Sequence, residues 1–352
     1  MLKGLNLQQL AAKIQANATM KRDFIIPTEA MTMQVVQEER GKKSVVMELP
    51  DGHGNFPLLP LAHDQIGARS KIPAKYYDRM LAEAPDLLAA NVNAWHRINP
   101  AKRMVRTLGG DMRAFLSNSY NRIENEEIAQ VVFPILAELK GVNIVSCEVT
   151  DKRLYIHFVV PTIQGEVKVG DVVQAGGIIA NSEVGCGAVS VSGLIWRLWC
   201  LNGAKTGETF RRNHVGREID DTEALWADDT REAEDRSILL KVRDMVKAVV
   251  DETRFKANLA KMQGLAGAKV TGDPTKAVEV LAAKLGAADF EKDGILRSLI
   301  EGADLTAWGL LNAVTAQSHT AKSYDRAVEL EAAGGSLIDL NANEWKKILE
   351  AA

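Results

Sequence analysis

A change of hydrophobic period near residue 218 constrains the fold more than any other feature of this chain. Before it, short β-branched runs at 23–26, 31–36, 44–49, 143–149 and 153–160 alternate with Gly, Pro, Asn and Asp breakers and read as strands. Further strands are expected at 168–173, 177–180 and 187–191. Helical spacing in this half is confined to 5–16, to 63–98 with interruptions at Pro73 and Pro85, and to 125–140 before Gly141. After residue 218 it dominates, over 224–259 as one helix or two abutting, then 275–285, 290–300, 307–316 and 343–349. Gly264, Gly272-Asp273-Pro274 and Gly334-Gly335 punctuate these helices. The expected fold class is α+β. A mostly antiparallel N-terminal sheet with flanking helices fills 1–218, and a mainly helical region, 219–352, packs on it.

Charge and cysteine usage narrow the partners. At 352 residues the chain can bury a sizeable core, and its net charge of −3 gives no global attraction to nucleic acid. Any such binding needs a local basic patch. Three cysteines, an odd number, argue against a disulfide scaffold and for a reducing compartment. The amphipathic start MLKGLNLQQLAAKI is no signal peptide, and no apolar run approaches the roughly 18 to 20 residues of a membrane span. A soluble cytoplasmic protein with no membrane partner is expected. Phosphate-loop, dinucleotide, zinc-protease and nucleophile-elbow motifs are absent, and no cofactor follows from the sequence.

The clearest local signal is RMVRTLGGDMRAFLSNSY at 103–120, two strands joined by Gly109-Gly110. A two-residue turn puts Arg106 across from Arg113 and Met104 across from Phe115. Facing like charges cost up to about 1 kcal/mol unless an anion lies between them, so the pair is a candidate anion site. Alternatively, each arginine holds its own acid or extends into water.

A polar centre follows at 172–217. Asn181-Ser182-Glu183-Val184-Gly185 reads as a turn, with Glu183 a candidate general base or simply a solvated loop acid. Leu194, Ile195, Leu198 and Trp199 recur at helical spacing, with Ser192 as N-cap and Asn202-Gly203 as stop. Cys200 with His214 is a candidate nucleophile and base, though the spacing matches no known pair. Cys147, Cys186, Cys200 and His214 lack zinc-site spacing, and the acids at 218–229 read by default as a solvated face that would hold Mg²⁺ only if they converge, so no metal site is assigned. Arg211, Arg212 and Arg217 form the densest cationic run, suited to phosphate or to the acids that follow at 218–229.

AFLSNSYNRIENEEI at 114–128, VKVGDVVQAGGIIANSEVGCGAVSV at 167–191, RLWCLNG at 197–203, HVG at 214–216 and the tail at 305–340 together resemble the DUF 932 family, a domain of unknown function found largely in phages, plasmids and integrative elements. The resemblance spans roughly residues 20 to 345 and implies mobile-element biology without assigning an activity. Asn181, Ser182, Glu183, Arg197, Cys200, Asn202 and His214 fall on its pattern. Three expectations result. One is a single-stranded DNA-binding protein of recombination or replication, contacting DNA through Arg103, Arg106, Arg113, Arg197, Arg211, Arg212 and Arg217. Its strand-strand-strand-helix order over 143–259 resembles phage annealing recombinases, which form homo-oligomeric rings or filaments. The second is an enzyme whose site is Glu183, Asn202, His214 and Cys200. The third is a structural or anti-defence interaction protein.

Overall fold

The computed structural model describes residues 2–38, 41, 43–198, 201–212 and 228–352. The fold is α+β. Helix α1 (Leu7–Met20) starts at Asn6, whose side chain caps Gln9 and is answered by the Gln9 side chain. Strands β1 (Lys21–Pro27), β2 (Thr32–Gln37), β3 (Lys43–Leu49) and β4 (Gly54–Pro57) follow. Prolines then open or precede α2 (Pro60–Arg69), α3 (Ala74–Glu83) and α4 (Pro85–Ile98), positions where a missing N–H costs nothing. The hairpin β5 (Lys102–Leu108) and β6 (Asp111–Ser117) completes the N-terminal module. Its two antiparallel sheets, β1-β5-β6 and β2-β3-β4, enclose a core that includes Ile26, Met47, Ile66, Leu88, Val105 and Phe115.

Helix α5 (Asn125–Glu138) leads into a five-stranded antiparallel meander: β7 (Asn143–Val149), β8 (Leu154–Lys168), β9 (Asp171–Asn181), β10 (Val189–Arg197) and β11 (Asn202–Arg212). Helices α6 (Asp228–Ala248), α7 (Glu252–Gly267), α8 (Pro274–Leu285), α9 (Asp289–Gly302), α10 (Ala307–Ala316), α11 (Tyr324–Ser336) and α12 (Ala342–Leu349) complete the chain. Ile238, Val242 and Val246 of α6 join Ile128 and Val132 of α5 over Ile156, Phe158, Ile179 and Val191 of the sheet. Val173, Ala175, Ile195 and Ala204 meet Phe255, Met262, Trp308 and Leu311 in another cluster. Sequence on either side of residue 218 therefore contributes to the same cores.

Four local expectations need correction. The helix expected after Ser192 is strand β10, and β11 begins where its stop was placed. Short apolar runs fit either period, and pairing with β9 on one side and β11 on the other decides for strand. The strand expected at 168–173 is interrupted by the β8–β9 turn, where Gly170 has φ +80°. Helix α11 was not expected, because Gly334 and Gly335 read as a break. They lie inside its last turn, where a Cβ at Gly335 would overlap the Lys205 carbonyl of β11 and one at Gly334 would overlap Thr315. In the β5–β6 hairpin, Gly109 and Gly110 both take positive φ, as a two-residue hairpin turn favours. A bulge then shifts the register: Thr107 pairs with Met112, Arg106 with Ala114 and Met104 with Leu116, so Arg106 does not face Arg113.

Candidate functional site

The residue that organises the polar centre is Glu183, in the turn after β9. Ser182 folds that turn inward: its hydroxyl donates to Lys152 O (2.8 Å) and accepts from Cys186 N (2.9 Å). The Tyr120 hydroxyl donates to Ser182 O (3.0 Å) and accepts from Gly185 N (3.1 Å). Asn181 anchors the end of β9 by donating to Ile123 O (2.9 Å) and Asn125 Oδ1 (2.8 Å). The result is a Glu183 side chain only 4% exposed, not a solvated loop tip.

Charges from five segments converge there. Glu183 Oε1 accepts from Lys21 Nζ (2.7 Å) and from the Asn125 backbone N–H at the start of α5 (2.8 Å). Glu183 Oε2 lies 2.9 Å from Arg113 Nη2, an ion pair that lacks hydrogen-bond alignment and leaves Nη2 and Nε of that guanidinium without a hydrogen-bond partner. Arg106, 1% exposed, donates to Asp23 Oδ1 (2.8 Å), to the Glu183 carbonyl (2.6 Å) and to Glu124. Lys21 also reaches Glu124 (2.8 Å), and Arg122 holds the second oxygen of Asp23 (2.7 Å).

Electrostatics follow from this packing. Burial alone would raise the Glu183 carboxyl, but the neighbouring Arg113 and Lys21 outweigh it and hold the group at about 2. Burial likewise opposes ionisation of Asp23, yet Arg106 and Arg122 bring it below the ordinary carboxylate range. Lys21 moves above its ordinary value, because Glu183 and Glu124 overcome the cost of burying it. Glu183, Asp23 and Lys21 therefore stay charged near neutrality, and the network they share with Arg106, Arg113 and Glu124 pairs each cation with an acid. A carboxylate titrating at about 2 is a poor general base at pH 7.

The expected site residues separate accordingly. Arg106 and Arg113 are buried and held by carboxylates, so they are not an anion site. Arg197 clamps Asp171 through two contacts (2.6 and 2.8 Å), and Trp308 Nε1 donates to the same carboxylate (2.8 Å), which ties α10 to the sheet. Arg212 pairs with Glu234 of α6, and Arg103 and Arg211 are also engaged. Asn202 donates to Thr315 (2.6 Å) at the opposite end of the sheet. It pairs with Arg197, which pairs with Val173, so the length of β9, about 25 Å at 3.3 Å per residue, separates it from Asn181 and the Glu183 turn. Cys200, His214 and Arg217 lie outside the described residues. Burial pushes the Cys147 thiol up to about 12 and raises Cys186 as well, which disfavours the thiolate at both. Among the described residues, no group of three or more His, Cys, Asp or Glu side chains is placed to hold a metal ion, and no helix is long and apolar enough to cross a membrane.

Lys21, Asp23 and Glu124 escaped the sequence reading. The signals were present: alternation puts Lys21 and Asp23 on one face of β1, and Glu124 with Glu127 forms the capping box of α5. A second buried cluster was missed with α11. There the Tyr324 hydroxyl meets Ser146 (2.8 Å) and His157 Nδ1 (3.2 Å), while His157 Nε2 meets Glu331 (3.2 Å). His157 and Glu331 are fully buried, so this cluster fastens α11 to the sheet without access to solvent. Two surface grooves, of about 360 and 390 Å³, lie on the C-terminal helices, and neither is lined by a residue of the charge centre.

The remaining feature is a basic surface. Residues 236–267 carry seven Lys or Arg against three Asp or Glu. No family model, curated protein or solved structure matches the chain.

Proposed function

We propose that this chain binds single-stranded DNA in the recombination or replication of a phage or plasmid, and that it acts by binding rather than by catalysis. The observation that supports this best is the order of the second half: a five-stranded antiparallel meander, followed in the chain by the 21-residue helix α6, which packs on the sheet. That order resembles phage annealing recombinases, and the resemblance to DUF 932 supplies a mobile-element setting. The self-neutralised charge centre weighs against an enzyme built on Glu183, as does the separation of Glu183 from Asn202. It equally removes Arg106 and Arg113 as DNA contacts, which moves the interface to the surface.

Sedimentation velocity with and without oligothymidine tests this reading. An annealing protein enlarges its assembly as rings or filaments form on the strand. Unchanged sedimentation at low salt, where phosphate contacts are strongest, contradicts it.

A further inference from the structure

The solvent face of α6 carries cations that are weakly engaged. Arg236, Leu240, Arg243 and Lys247 stand four, three and four residues apart, so they share one stripe of the helix. Ile238, Val242 and Val246 are buried on the opposite side and fix which way the stripe points. Leu240, between the cations, is 41% exposed. Arg243 meets only its exposed neighbour Asp244 (2.8 Å), a contact of little energetic weight. Among the described residues, Arg236, Lys247 and Arg254 at the start of α7 form no ion pair with a carboxylate. This contrasts with Arg106, Arg113 and Arg197, each held by an acid.

Helix electrostatics explain part of the pattern. Acids at 229, 232, 234 and 235 crowd the first turns of α6, where the dipole favours them, and a cation at Lys247 suits its last turn. The dipole gives no reason for Arg236 and Arg243, which stand in the body of the helix. Nor does it favour the three acids and seven bases of 236–267 within a chain of net charge −3.

We infer that the phosphates of a DNA single strand are held on this face of α6 by Arg236, Arg243 and Lys247. The inference rests on the DNA-binding reading above and names its surface. From Arg236 to Lys247 the stripe rises about 16 Å, the axial length over which one stacked strand carries about five phosphates. A row of cations along one helix face matches a repeating phosphate backbone, so binding is salt-dependent and tolerant of base identity.

The test is fluorescence anisotropy with labelled oligothymidine over a salt series, using the whole chain. Three proteins are compared with the wild type: R236E/R243E/K247E, the neutral R236Q/R243Q/K247Q, and K276E/K346E/K347E, an equal charge change on α8 and α12. Thermal melting checks that each is folded. The α6 reversal is expected to weaken binding about 100-fold, the neutral variant to flatten the logarithmic salt slope by about 2, and the α8/α12 variant to stay within about threefold of wild type. Equal losses in the two reversals reduce the effect to net charge and overturn the surface. Wild-type binding by a folded α6 reversal overturns the surface but leaves the DNA-binding reading standing. No binding by wild type overturns both. Polyglutamate competing as well as DNA per charge points to an acidic protein partner and overturns the choice of DNA.

Discussion

Glu183 shows at the scale of one residue how burial and pairing decide function. Its carboxylate compensates Lys21 and Arg113 in a place that water barely reaches. Glu183→Gln leaves both cations buried without that charge and is expected to cost about 3–5 kcal/mol in urea denaturation, whereas replacing Glu183 and Arg113 together by Met costs distinctly less. The pH dependence has two parts. Glu183 falls from its ordinary 4.5 to about 2 in the fold, so its stabilising share is full above 4.5 and is lost as pH drops toward 2. His96, stacked on Phe115, is driven down from 6.5 to about 4 by burial and by Arg103. A depressed histidine favours the neutral ring, so its share is full above 6.5 and disappears between 6.5 and about 4. His96→Leu is expected to remove that upper limb, up to about 3 kcal/mol, and to leave the Glu183 limb intact in a pH series of melting curves. The position of Glu183 in a turn was legible in the sequence. Its burial was not, because that depends on Ser182 and Tyr120 folding the turn onto acids and bases from β1, β5, β6 and the segment just before α5.

Elements with strong periodicity and clear caps were legible, and those governed by distant contacts were not. Strands 44–49 and 143–149 and helices 275–285 and 307–316 lie within a residue of their expected bounds, since Asp273 and Thr306 cap the latter two with their side chains. The β5–β6 register slipped by one because a bulge leaves no mark in an alternating run. Helix α11 was hidden by Gly334-Gly335, residues required by the close approach of α11 to α10 and to β11 and not by a turn. This gives a prediction with opposing signs. Helix propensity alone says that Gly335→Ala stabilises by about 1 kcal/mol. Overlap with the Lys205 carbonyl says that it destabilises, and backbone cannot yield as a flexible side chain does. The steric effect is expected to dominate, lowering stability by about 2 kcal/mol or more in denaturant titration. An unchanged or raised midpoint means that α11 lies farther from β11.

At the scale of the whole molecule, the buried cations around Glu183 are paired with acids, while α6 leaves a basic face outside. Net charge conceals this, because acids elsewhere after residue 218, those at the start of α6 among them, offset the excess over 236–267. Shared cores make the meander and the C-terminal helices one mechanical unit, so a strand held on α6 is held by the sheet beneath it. The salt dependence of wild-type binding to single-stranded DNA tests the account most directly. With three to four phosphates neutralised, the logarithm of affinity should fall against the logarithm of salt with a slope of about −2 to −3. Affinity that does not change with salt, or no binding even at low salt, contradicts it.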